Sequence, residues 1–251
     1  MEKHNKVQEN FGKNASNYRY STVHNDPVDL DRMIELLNPK SEDKVLDVAT
    51  GAGHTAIKLA GYTKKVVAID ITAEMLSEAR KQSKEKDIDN IEFCVEDVHN
   101  MKFPDNKFDI VTSRLAAHHF SHIKKALEEM CRVLKPGGEL YILDCSVADG
   151  DESERIYNKI ELLRDSSHVC SYSPRLWNEM LKDLPLKVQK TNFYKLRYEL
   201  PIWFDRMGTI SKNRDEIFKI LNNLSEKPQK EYSYSNDYIT TYRIEILAQK
   251  I

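Results

Sequence analysis

The chain has 251 residues, 40% hydrophobic and 31% charged, with 38 basic and 40 acidic side chains for a formal net charge of −2. Such values describe a globular protein with enough residues for a buried core, and the near-neutral charge argues against nucleic acid as a partner. Its 8 glycines are about 3% of the chain, less than half the usual share of roughly 7%, which excludes collagen-like repeats and Gly/Ser linkers.

The N-terminus lacks the apolar region of a secretory signal, and no stretch approaches the ~20 apolar residues of a membrane span. Cys94, Cys131, Cys145 and Cys170 are widely spaced, with no C-x-x-C pair, as expected of reduced thiols in a cytoplasmic protein.

Residues 1–25 form a leading helical segment containing Phe11, Tyr18, Tyr20 and Ser21. Asp26-Pro27 then supplies an N-cap and a first-turn proline, Leu30, Met33, Ile34 and Leu37 line one helical face, and Asn38-Pro39 ends the helix. Short Val- and Ile-rich runs at Lys44–Ala49, Lys65–Asp70, Ile91–Val95, Phe108–Thr112 and Glu139–Asp144 have strand length. Between the last two, Ile123, Ala126, Leu127, Met130 and Leu134 mark a helix that must stop at Lys135-Pro136-Gly137-Gly138. Alternation of this kind predicts an α/β fold with a doubly wound, mostly parallel sheet covered by helices on both faces. Leu186–Leu200 and Tyr238–Gln249 read as two further strands, and the long connection between them as a lid with helices around Ile202–Met207 and Arg214–Leu224. The expectation is one domain: a covering segment over 1–25, a Rossmann-like core over 26–200, a helical lid insertion over 201–237 and a last, antiparallel strand over 238–251 of a seven-stranded sheet.

The most informative stretch is Val45-Leu46-Asp47-Val48-Ala49-Thr50-Gly51-Ala52-Gly53-His54, a strand running through a glycine turn into a helix. Glycines admit a tight turn and close backbone approach, and the helix N-terminus offers free N–H groups. Gly51-x-Gly53-x-x-Ala56 also fits the dinucleotide fingerprint of a nicotinamide-dependent oxidoreductase. Asp47 argues against that reading, because a carboxylate repels a pyrophosphate and attracts an ammonium or sulfonium group. Asp70, at the end of the next strand, is placed to accept the two hydroxyls of a ribose.

Together with the second glycine pair, these residues make the sequence resemble the class I S-adenosylmethionine-dependent methyltransferases, in the group similar to ubiquinone/menaquinone-biosynthesis methyltransferases. The resemblance is carried by Val45–Gly53, Asp70, Glu96-Asp97-Val98, Phe103-Pro104-Asp105 through Val111, Arg114 through Phe120, and Arg132 through Gly138. It is strong over Leu30–Asp144, thinner over Phe11–Ser21 and weak beyond Ser167. It implies S-adenosyl-L-methionine as cofactor. Asp47 and the turn Ala49–Gly53 would face the methionine end, Asp70 would take the ribose diol, and Ile71 and Met75 would lie against adenine. Asp97 would accept from the adenine amine and the Val98 N–H would serve a ring nitrogen. Tyr18, Ser21, Arg114 and His119 complete the expected cofactor set. The chain departs from the family pattern at Ala49, where glycine is usual, and at Ser166 and Cys170, where relatives tend to have proline and arginine.

Methyl transfer from a sulfonium is an in-line displacement, so the protein contributes alignment and exclusion of water, and a base only where the nucleophile arrives protonated. The candidate proton acceptors are His118 and His119, after the fourth strand, and His168 in Arg164–Val169. No metal site is expected, since His119 and His122 lack an evident third ligand. The expected acceptor is a small molecule, quinone-like or another compact apolar compound. RNA or protein methylation and a cofactor-binding protein without transfer activity are the alternatives.

Overall fold

A computed structural model of the chain describes residues 2–235 and 237–251. In chain order the core elements are α1 (Glu2–Arg19), α2 (Pro27–Leu37), β1 (Lys44–Val48), α3 (His54–Ala60), β2 (Lys65–Asp70), α4 (Ala73–Glu85), β3 (Ile91–Val95), β4 (Phe108–Arg114), α5 (Ile123–Val133) and β5 (Leu134–Ser146). There follow α6 (Asp151–Arg164), α7 (Pro174–Lys182), β6 (Leu186–Glu199), three helices α8 (Leu200–Asp205), α9 (Ser211–Asn222) and α10 (Glu226–Glu231), and β7 (Tyr238–Lys250).

The strands form one sheet in the order β3-β2-β1-β4-β5-β7-β6, parallel from β3 to β5 and with β7 antiparallel to both neighbours. This is the expected fold class. Alternation along each central strand feeds two helix layers. Leu46, Val48, Val67, Ile69, Val111, Leu140 and Ile142 pack on the side of α5 and α7, while Val45, Val66, Ala68, Ile110, Tyr141 and Leu143 pack on the side of α2 and α3. Strands buried on both faces must read as continuous apolar runs, as these do.

The segment expected to turn into the fifth strand does so as a bulge within β5. Leu134 pairs with Phe108, and a bulge at Asp109 lets the ladder resume with Ile110 opposite Glu139. Lys135-Pro136-Gly137-Gly138 thus has no ladder partner on β4 and forms the bulge, with Gly137 in the left-handed region at φ 77° and Pro136 where a missing donor is tolerated. Three helices, α6, α7 and α10, lacked an expectation. α6 has Asp151, Glu152 and Glu154 in its first turn, and α7 is capped by the Ser173 hydroxyl, which accepts from Leu176 N, with Pro174 at its first position.

Leu200, Trp203, Phe204, Ile217, Leu221 and Ile239 pack with Ile160 of α6 as a separate cluster. The aromatic side chains Trp203 and Phe204 of the insertion are therefore its own core. At the other end of the chain, α1 lies across α4, with Ala15, Tyr18, Ala52 and Met75 forming a small cluster.

Gly138 shows why the bulge needs glycine. A Cβ there would lie 2.8 Å from the Asp109 carbonyl oxygen and 2.9 Å from that of Lys135. Gly138→Ala is expected to destabilise by about 2 kcal/mol, lowering the calorimetric melting temperature by roughly 4–8 °C. An unchanged melting temperature would show that the bulge yields.

Candidate functional site

In a parallel sheet the strand order reverses where one crossover goes left and the next goes right, here between β1 and β4. Ligands bind outside the carboxyl ends of the strands at such a point. A cleft of about 970 Å³, mouth included, opens there. The turns after β1, β2, β3 and β4 line it, and Phe11 and Tyr18 of α1 close over it.

Asp47, at the end of β1, is buried. Its Oδ2 accepts from the Thr50 hydroxyl at 2.6 Å and its Oδ1 from the Thr112 hydroxyl at 2.8 Å. Burial pushes its pKa up to about 6 against the pull of those two bonds and of the Arg114 charge. Asp70 is equally oriented: Oδ2 accepts from Gly51 N and Oδ1 from Thr72 N, both at 2.8 Å. A carboxylate has about four lone-pair sites, so each oxygen retains acceptor capacity. Asp97 Oδ1 accepts from His99 N at 2.9 Å and lies 2.6 Å from His99 Nδ1. His99 itself lines the cleft, a residue for which the sequence supplied no expectation.

The turn between β1 and α3 is held in the left-handed region at three residues: Ala49 at φ 54°, Gly51 at 55° and Gly53 at 90°. Nothing lies within 4 Å of where a Gly51 side chain would begin, so that backbone is open to a ligand. Gly53 serves packing as well, since a Cβ there would meet Ala79 Cβ at 2.9 Å and drive α3 from α4. Ala49 adopts the conformation without the glycine that makes it easy.

Arg114, the last residue of β4, is buried. Its Nε donates to the Thr55 hydroxyl at 3.0 Å and its Nη2 to the His24 carbonyl. Nη1 is buried and has no partner. A buried guanidinium donor left open in a cleft fits a carboxylate, and a strand-end carboxylate beside a glycine turn fits a ribose diol. The donor set thus suits a nucleoside cofactor with an amino-acid end.

Of the residues expected to hold the cofactor, Tyr18, Asp47, Ala49, Gly51, Asp70, Ile71, Met75, Asp97, Val98, Arg114 and His119 all line this cleft. Ser21 and Gly53 do not line it. The Ser21 hydroxyl lies 2.8 Å from His24 Nδ1 and so reaches the site through His24, which does line the cleft.

The three histidines have separate environments. His118 Nδ1 lies 2.6 Å from Asp144 Oδ1, and its backbone N donates to Asp144 Oδ2 at 2.7 Å. Burial lowers its pKa, but the Asp144 charge and hydrogen bond outweigh burial and the net shift is upward. His119 Nδ1 lies 3.1 Å from the Ser167 carbonyl; burial and then the His118 charge bring it down to about 4. His168 Nε2 lies 2.8 Å from Asn158 Oδ1, and burial brings it down to about 3. His118 faces a second chamber beyond the cleft, His119 lines both, and His168 lines neither. Cys145 joins His118 and Asp144 in a group whose ligand atoms lie within 4.8 Å of one another. Burial raises its thiol to about 12, so it stays protonated.

A seven-stranded sheet with a reversed β7, an acidic strand end at β2 and an open glycine turn after β1 define the class I methyltransferase core. A family model described as a methyltransferase domain matches residues 39–218. The chain is 35% identical over 217 residues to the uncharacterized methyltransferase YcgJ of Bacillus subtilis, covering 86% of each. The YcgJ crystal structure superposes with a TM-score of 0.85 at 31% identity, over 88% of this chain and 97% of that one. The ubiquinone/menaquinone biosynthesis C-methyltransferase UbiE of Pseudomonas fluorescens is 38% identical over 129 residues, 50% of each chain. The chain belongs to the methyltransferase-domain family and is an S-adenosylmethionine-dependent methyltransferase.

Two outcomes follow from the turn. A carboxyl whose folded pKa lies above its ordinary value of 3.8 stabilises the fold while protonated, and that contribution is lost as pH rises through about 6. The ligand-free protein should therefore lose melting temperature relative to Asp47→Asn as pH rises from about 4 to 7. Parallel curves would place the Asp47 titration elsewhere. Ala49→Gly is expected to raise stability by about 1 kcal/mol, or roughly 2–4 °C in melting temperature, by relieving the left-handed strain.

Proposed function

We propose that the cleft binds S-adenosylmethionine and that the chain methylates a small-molecule acceptor held in the second chamber. The observation carrying this reading is that the two spaces share walls: Phe11, Tyr18, His24, Leu115 and His119 line both. One space has the donors and acceptors of a nucleoside site. The other, of about 420 Å³ with its open space, is of small-molecule size.

In this reading Asp70 accepts from the ribose hydroxyls, Ile71 and Met75 flank adenine, and Asp97 and the Val98 N–H serve its polar edge. Asp47 balances the cationic end and Arg114 Nη1 donates to the carboxylate. When bound, the cofactor supplies a methyl group on a sulfonium, already activated for in-line displacement. The protein's own work is then placement and exclusion of water. Phe11 and Tyr18 cover the cleft, and the Tyr18 hydroxyl donates to Met207 Sδ at 3.4 Å, which ties α1 to the insertion. Burial, followed by the Asp165 charge, holds that phenol protonated.

Where the acceptor arrives protonated, the histidine for the task is His118. A base works best with a pKa near the working pH, and His119 at about 4 is too weak. His118 faces the acceptor side with Asp144 behind it, an arrangement that fixes the ring and stabilises its protonated form. His119 aligns, and His168 supports the wall. A chamber of this size favours a small acceptor over RNA or a protein.

The cofactor reading is tested by calorimetry with S-adenosylhomocysteine. Asp70→Ala is expected to weaken binding by at least about tenfold, the loss of two charge-assisted hydrogen bonds. Circular dichroism should confirm that the variant is folded, and equal affinity would sink the assignment.

A further inference from the structure

The second chamber has a chemistry of its own. Arg164, Arg206 and Arg243 line it from three different elements, the end of α6, the residue after α8, and β7. Arg164 Nε and Nη2 donate to Glu161 Oε2 at 2.9 and 2.6 Å, yet its Nη1 is buried without a partner. Arg243 donates to Asp29 through Nη1 and to the Tyr198 hydroxyl at 3.1 Å through Nη2, yet its Nε is likewise buried without a partner. Arg206 forms no ion pair among the described residues; its guanidinium stands 5.4 Å from the centre of the Tyr198 ring.

The chamber holds little negative charge of its own. Asp165 is the one carboxylate lining the chamber. Its Oδ1 takes bonds from Asn10 Nδ2, Ser167 N and the Ser167 hydroxyl, and its Oδ2 lies 3.9 Å from His119 Nε2. Burial keeps the Cys145 thiol and the Tyr198 phenol protonated, so neither supplies a negative charge. The buried polar atoms without a partner on the residues of this chamber are therefore two cationic N–H groups, Arg164 Nη1 and Arg243 Nε, while Phe11, Val23, Leu115 and Met207 contribute apolar lining. Leaving buried guanidinium donors unmatched is costly, and planar oxyanions match them two bonds at a time.

Resting on the acceptor-chamber reading above, we propose that the methyl acceptor is an anion: an apolar body bearing one carboxylate or phosphate, which Arg206 holds together with Arg164 and Arg243. The anionic group anchors the acceptor at the far wall and leaves its apolar body toward His119 and the shared boundary. Acceptors lacking that group are bound without the anchor.

The probes are phenylacetate, phenyl phosphate and the neutral isostere phenylacetamide, titrated calorimetrically into the full chain saturated with S-adenosylhomocysteine. At least one anion is expected to bind about tenfold or more tightly than the amide, and the stronger of the two identifies carboxylate or phosphate. Arg206→Gln should abolish that preference while leaving S-adenosylhomocysteine affinity unchanged, and Arg206→Lys should retain part of it. Equal binding of amide and anions, or no binding of either anion, overturns the proposal. A loss of S-adenosylhomocysteine affinity in Arg206→Gln also overturns it, by assigning the guanidinium to the cofactor. Failure of the wild-type chain to bind S-adenosylhomocysteine defeats the cofactor reading first, and the proposal with it.

Discussion

The site is organised around a carboxylate that the fold makes uncomfortable. Asp47 lies near the carboxyl end of β1, between β2 and β4 and almost wholly buried at the base of the cleft, and two threonine hydroxyls only partly compensate the lost hydration. A protein with no use for negative charge there would be better served by an apolar residue. Its retention makes sense if a cation arrives, because attraction in a partly dry cleft is several-fold stronger than in water. The turn that follows continues the same logic. Ala49, Gly51 and Gly53 bend the chain through the left-handed region, leaving the space beside Gly51 open, and Gly51 N is fixed by donating to Asp70. The two acidic strand ends and the glycine turn are thus one hydrogen-bonded unit.

Around that unit the fold separates what is general from what is particular. The cofactor cleft is built from the ends of β1 to β4, whose positions any sheet of this order would reproduce. The second chamber mixes core and additions: Leu115, His118 and His119 after β4, Cys145 of β5, Tyr198 of β6 and Arg243 of β7 meet α1, the end of α6 and the insertion before β7. The segment 164–169 is no solvated loop. Val169 N and Cys170 N both donate to the His118 carbonyl, and Asp165, Ser167 and His168 are buried. Thr209 and Asn213 of the insertion bond to the carbonyls of Arg164 and Leu163, locking the insertion to the same wall. Specificity in such folds resides in the elements grafted onto the sheet.

This division explains what could be read from the sequence. The central strands and the acidic strand ends were legible because each depends on local signals, apolar runs bounded by glycine, proline and aspartate, whereas the reversal of β7 is a matter of long-range pairing and came only with the family resemblance. The start of β5 was not legible, because the turn-like composition of Pro136-Gly137-Gly138 does not reveal that Leu134, before the bulge, already pairs with Phe108 of β4. α6 left a usable trace in its acidic first turn and in Ile156, Ile160 and Leu163 spaced along one face. The arginine wall left none. Arg243 reaches it because β7 runs antiparallel to β5 and sets Arg243 opposite Cys145, a partnership across 98 residues that no spacing rule encodes.

The histidines show how far geometry refines a motif. In sequence, His118 and His119 are adjacent and chemically identical. In the fold, the short helical turn at Ala117–His119 sends one ring to Asp144 and the other to the Ser167 carbonyl, with ring centres 4.0 Å apart. One ring meets a carboxylate that favours its charge; the other meets a neutral acceptor and the charge of its neighbour, and stays unprotonated. Two like groups in contact are driven to opposite states, as for any coupled pair at short range. The result is a polarity across the boundary between the two spaces: the unprotonated His119 lines both, while His118, whose proton Asp144 favours, lines only the chamber that Arg164, Arg206 and Arg243 share.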